Sequence, residues 1–118
     1  MSLDPNRRET PYLLGRLFAA LEKTQEDALG NIGATIRDRF YSAASATPAT
    51  VFSRIIRTYQ HHISKMDGGL RRNREVLVQE IVGSIEKFPA HLNLQDQGQF
   101  AIGYYHQRKD FFTKKDSE

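Results

Sequence analysis

A chain of 118 residues, 39% of them apolar, has the length of one domain and buries roughly two-thirds of its unfolded surface. It contains no Cys, which excludes disulfide scaffolds, Cys-based zinc sites and thiol catalysis, and no apolar run approaches the roughly 18 residues of a membrane span. The net charge of +3 is uneven, with five basic side chains against Asp38 alone in residues 31–66, four against five in 1–30 and eight against eight in 67–118. Such asymmetry is what a local anion-binding face leaves, and a solvated helix face lacking acids leaves it too. The opening MSLDPNRRETPY has no apolar signal-peptide core. A soluble protein of a reducing, cytoplasmic compartment is expected, with no membrane contact.

Residues 1–10 read as a flexible lead-in. Thr10-Pro11 starts a helix, with Thr as N-cap and Pro at the first helical position. Leu14, Leu17, Phe18, Leu21 and Ala28 then recur at helical spacing and predict an amphipathic helix over 11–28, ended by Gly30 and Gly33. A short helix fits 34–44, with Ile36, Phe40 and Ala43 inward, and the small run 43–46 points to close approach of a neighbour. Thr47-Pro48 repeats the start signal. Val51, Phe52, Ile55, Ile56, Tyr59 and Ile63 form one apolar stripe over 48–66, broken by Gly68-Gly69. Leu77, Val78, Ile81 and Ile85 predict a helix over 70–87, stopped by Phe88-Pro89 because a residue before Pro is pushed out of helical geometry. Asn93 caps a last helix over 94–113, with Phe100, Ala101, Tyr104 and Phe111 inward. Gly98 and Gly103 weaken that pattern by roughly 1 kcal/mol each relative to Ala. No stretch alternates like a half-buried strand. The expected fold is all-α, a compact bundle of about five helices, with 11–115 as one domain and 116–118 as a tail.

No nucleophile elbow, Walker A or dinucleotide fingerprint is present. Glu22 and Glu26, one turn apart, read as an exposed acidic pair. His61 and His62 point about 100° apart on a helix and cannot chelate one metal. No catalytic residue, cofactor, metal or small-molecule substrate is expected, and the chain is read as a non-enzyme. The basic residues are more informative. Arg54, Arg57, His61 and Lys65 fall at i, i+3, i+7 and i+11, on one face away from the apolar stripe. Successive cations there are spaced about 5–6 Å, comparable with phosphates along a strand. Arg37, with Tyr41 one turn later, extends this track, while Arg39 points about 200° away from Arg37. Tyr104, Tyr105 and His106 with Arg108 and Lys109 form a second patch, aromatic and cationic, of the kind that stacks and pairs with single-stranded nucleic acid. Core and rim packing is the competing reading of those tyrosines. Phe111, Phe112 and Tyr105, beside Lys114 and Lys115, are plausible groups for docking on neighbouring subunits.

Residues 31–62, NIGATIRDRFYSAASATPATVFSRIIRTYQHH, with the opening YLLGRLFAALEKTQEDALG and the closing FPAHLNLQDQGQFAIGYYHQRKDFFTKK, resemble the C-terminal part of the type I-C CRISPR large subunit. The likeness covers most of 12–115 and is least marked at MDGGLRRNREV, 66–76. In that family the region is also made separately, from an internal start, as the small subunit of Cascade. A chain that begins with Met and has this size resembles that product, and a C-terminal domain of the large subunit has nearly the same sequence. The resemblance implies a helical bundle along the inner side of a crRNA-guided complex, supporting the crRNA–target heteroduplex and the displaced non-target strand. Its implied partners are the crRNA-bearing backbone and large subunits, target DNA and other copies of itself. PAM reading and nuclease activity belong elsewhere in that system. A different class remains open, a small helix-turn-helix regulator built from the second and third helices. That reading needs a turn of three or four residues, which Ser45–Thr47 supplies, but Ala49, Thr50 and Ser53 are poor in base-reading groups. A purely structural adaptor whose basic face meets acidic protein is a third.

Overall fold

A computed structural model describes residues 3–30 and 36–117, with side chains as far as Phe112. The described residues form α1 (Thr10–Leu29), α2 (Ile36–Ala46), α3 (Pro48–Ile63), α4 (Gly68–Ser84) and α5 (Leu94–Ser117), with no strand among them. None of these helices is long and apolar enough to cross a membrane.

α1 is the centre. The pattern predicts one apolar stripe, yet every residue from Tyr12 to Glu22 is buried, because each of the other four helices packs on α1. A helix enclosed on all sides needs apolar and small residues all round, which LLGRLFAAL supplies. The closest pairing is with α5. A Cβ at Gly15 would run into the backbone of Phe100 and Tyr104, and a Cβ at Gly103 into the backbone of Tyr12. Gly103 is therefore not a weak point of α5 but the place where it meets α1. Around this contact Phe18 packs on the rings of Tyr41, Phe52, Phe100 and Tyr104, with centroids 5.6–6.3 Å apart.

Several boundaries differ from the sequence expectation, each for a local reason. Thr10 is the first helical residue and Glu9 the extended N-cap. Gly30 ends α1 at φ +74°, its N–H donating to the Glu26 carbonyl, while Gly33 lies outside the described residues. Ala43 is exposed and Ala44 buried in its place. α3 stops at Ile63, and Gly68, at φ +69°, opens α4 instead of breaking α3. α4 stops at Ser84, ahead of Phe88-Pro89, and Ile85 turns extended while staying in the core. Residues 85–93 then run back across the α2–α3 junction, where Ala49 N–H donates to the Pro89 carbonyl and Leu92 N–H to the Ala46 carbonyl, both at 3.0 Å. That return, which buries Ile85 and Leu92, overrides the helical periodicity of the segment. Asn93 caps α5 as expected, its Oδ1 accepting from Asp96 N–H at 2.8 Å. The described part of the lead-in contacts the bundle: Asp4 N–H donates to Tyr12 Oη, Arg7 sits over the Tyr12 ring, and Arg8 donates to Ser84 Oγ.

Candidate nucleic-acid interface

α3 buries Phe52, Ile55, Tyr59, His62 and Ile63. A helix that fixes these positions inward turns the opposite positions outward, and Thr50, Arg54, Arg57, Thr58 and His61 are all exposed. No Asp or Glu occurs in 48–63. Among the described residues, neither Arg54 nor Arg57 forms an ion pair. Lys65 is exposed but falls in the turn after α3, whose end at Ile63 removes the regular i+11 placement. The three helical members share one face and Lys65 sits beyond its C-terminal end. The two adjacent histidines diverge. His61 is exposed, whereas His62 is buried, and burial, with His61 and Lys65 nearby, holds the His62 imidazole below its usual pKa.

α2 does not extend this track as expected. Arg37 crosses to α5, donating to Tyr105 Oη at 2.8 Å, with its guanidinium 5.5 Å and 5.7 Å from the rings of Tyr104 and Tyr105. Tyr41 turns into the core against Phe18, Phe100 and Tyr104, and burial raises its pKa. Arg39 is exposed and forms no ion pair among the described residues.

The second sequence patch divides. Tyr104 is fully buried and donates to Glu22 Oε1 at 2.6 Å. Burial, then this bond, raises the Tyr104 pKa far above its usual value. Arg108 donates to the same Glu22 oxygen at 2.7 Å and lies 3.5 Å from Glu26. A carboxylate as buried as Glu22, 2% exposed, needs a counter-ion, so the guanidinium of the part-exposed Arg108 is engaged by Glu22 and Glu26 within the bundle. Glu22 and Glu26 are accordingly no exposed acidic face. Tyr105 and Lys109 are exposed on the outer side of α5. Phe111 packs against the core under the Arg74 guanidinium, 4.5 Å from its ring, while Phe112 remains 39% exposed. Two buried arginines carried no sequence signal. Arg16 donates to Gln107 Oε1 and Arg74 to Asp27 Oδ2. Both line a cleft of about 550 Å³ between α4 and α5 that Glu80 and Asp110 also line, so its charge is mixed. Among the described residues, no three His, Asp or Glu side chains converge as a metal site would need.

The arrangement therefore offers on α3 an exposed row of two arginines and a histidine on a helix without Asp or Glu, and a separate exposed aromatic on α5 flanked by Arg37 and Lys109. Residues 1–112 match the model of a protein family described as CRISPR-associated protein (Cas_Csd1). None of the curated proteins matches the chain.

Proposed function

Because the chain belongs to the family of CRISPR-associated proteins described as Cas_Csd1, we propose that it is the non-catalytic small subunit of a type I-C crRNA-guided complex. In this reading it holds nucleic-acid backbone along α3 and so supports the crRNA–target heteroduplex and the displaced non-target strand in the cytoplasm. The observation that carries it is the row Arg54, Arg57 and His61, exposed, acid-free and without an ion pair for either arginine among the described residues. Guanidinium groups pair with phosphate oxygens in a bidentate fork. A row at one-turn spacing follows consecutive phosphates and carries no sequence preference. The same face serves if the stretch works as the C-terminal domain of the larger subunit. The helix-turn-helix alternative is disfavoured, since a single residue, Thr47, separates α2 from α3 where that motif has three or four.

The test is co-purification from cells carrying the system. The tagged chain should bring down a particle containing crRNA, the backbone subunits and the large subunit. Recovery of the chain alone, together with tight sequence-specific duplex binding by it in a mobility-shift assay, would replace this reading with a regulator.

A further inference from the structure

Arg16 stands on the central helix at 8% exposure, yet it forms no ion pair among the described residues. Its hydrogen bond runs from Nε to the neutral Gln107 Oε1 at 2.8 Å, which leaves both terminal nitrogens of the guanidinium for another partner. The buried Glu22 and Arg74, by contrast, each meet an opposite charge, on Arg108 and Asp27. Burying a charge without a counter-ion is costly. Burial is the largest influence on the Arg16 pKa and lowers it, as for a guanidinium short of negative charge.

The space beside Arg16 follows from the packing. α4 and α5 each lie against α1 but barely against one another, and the cleft of about 550 Å³ opens between them. A second cleft, of about 300 Å³, is bordered by α4 and the lead-in and shares Pro5, Arg16 and Glu80 with the first. Both volumes fall within the roughly 300–1,000 Å³ of ligand pockets. Glu80 is exposed and, among the described residues, also forms no ion pair. It acts on Arg16 through space, from beyond ion-pair distance.

Two unlike charges, each open, thus line one space, and this selects the ligand. A polyanion such as a nucleic-acid strand would bring phosphates against Glu80 and Asp110, which line the same wall. A simple anion answers Arg16 and is repelled by Glu80, and an apolar molecule leaves Arg16 without a counter-ion. A molecule with a carboxylate at one end and a cation at the other answers both, while Leu77 and Phe111 line the cleft for an apolar middle. We propose that the cleft between α4 and α5 binds a small zwitterion, about the size of an amino acid or dipeptide, whose carboxylate pairs with Arg16 and whose cationic end reaches Glu80. The site lies apart from the α3 row and does not depend on the reading given to that row.

The experiment titrates the full chain, followed residue by residue in amide NMR spectra, with glycine, γ-aminobutyrate and ε-aminocaproate, and with caproate and hexylamine as one-charge controls. One of the longer zwitterions should shift the residues of the cleft and bind more tightly than either control. Arg16→Gln should weaken it by about ten- to 150-fold, as for one charge-assisted hydrogen bond. Glu80→Gln, at an exposed position that leaves the fold intact, should weaken it by up to about fivefold, as for an exposed ion pair, and should abolish its advantage over caproate. Equal binding of ε-aminocaproate and caproate, or undiminished binding by the folded Glu80→Gln chain, overturns the proposal. So does the absence of cleft shifts with every probe, which would mean that Arg16 and Glu80 close on each other in solution. An oligothymidylate that shifts the cleft residues while the zwitterions do not would give the site to nucleic acid and overturn the proposal as well. Shifts confined to α3 with the oligothymidylate, and to the cleft with the zwitterion, would support it.

Discussion

Arg54 leaves α3 into solvent, whereas Arg108, with a similar place in an amphipathic pattern, reaches back to a buried glutamate. The two side chains should therefore answer opposite assays. Arg54→Ala should change stability by no more than about 0.5 kcal/mol, as exposed substitutions do. Arg108→Ala strands the Glu22 carboxylate, and breaking a buried pair costs about 3–5 kcal/mol. With Arg108 part-exposed, a loss of about 2–3 kcal/mol is expected, and thermal unfolding of the two variants checks both values. Spacing could not separate them, because Glu22 stands 86 positions from Arg108 and its burial follows from helices closing around α1. The α3 row, by contrast, is local. Six apolar positions fix its inner face, so the outward turn of Arg54, Arg57 and His61 was legible, while Lys65 was misplaced with the helix end. The histidines give a pH test. Burial lowers the pKa of both His62 and His106 from the ordinary 6.5, so the unfolded chain binds more protons than the folded one below that value. Stability should be unaffected by these groups above about pH 6.5 and fall as the pH drops through the lowered folded values. Thermal melts from pH 8 to pH 5 measure this, and His62→Gln should reduce the decline. A midpoint that rises on acidification would contradict the sign.

At the scale of the element, α1 and α5 stand closer than side chains with a Cβ at the crossing allow. Gly15→Ala and Gly103→Ala would each push a methyl group into a facing backbone, and backbone cannot swing aside as a flexible side chain does. Overpacking of this kind costs about 1–3 kcal/mol, more than the roughly 1 kcal/mol of helix propensity that Ala returns. Both variants should melt earlier than wild type. Gly98→Ala, on the same helix with nothing within 4 Å of its would-be Cβ, should melt later, by the equivalent of up to about 1 kcal/mol. Equal effects at Gly98 and Gly103 would mean that α5 does not rest on α1 as described. Propensity treats these glycines alike, and only the crossing tells them apart. Helix existence was readable everywhere in the pattern, since caps such as Asn93 and apolar repeats are local signals. Helix ends were less so. Ile85 continues the periodicity of α4 but leaves the helix because residues 85–93 must return to the α2–α3 junction, a tertiary demand that no window of sequence contains.

For the whole molecule, the division of labour is between a central α1, whose buried polar side chains are hydrogen-bonded within the bundle, and an outer α3, whose two arginines form no ion pair among the described residues. Arg16, Glu22 and Thr24 on α1 are buried and bonded to Gln107, Tyr104 and the Ala20 carbonyl respectively. The excess positive charge of 31–66, visible in composition alone, thus comes to the surface on α2, on α3 and in the turn after α3, not in the core. The family assignment accounts for a CRISPR role, and the proposed pairing with phosphate is the physical content added to it. That pairing is tested most directly by the salt dependence of target binding in the assembled complex, with the wild-type chain and with Arg54→Glu/Arg57→Glu. For every single-strand phosphate that the variant no longer neutralises, the slope of log affinity against log salt should flatten by about 0.7, with a similar fall in affinity on unrelated protospacers. An unchanged slope, or a fall that depends on sequence, would contradict the account.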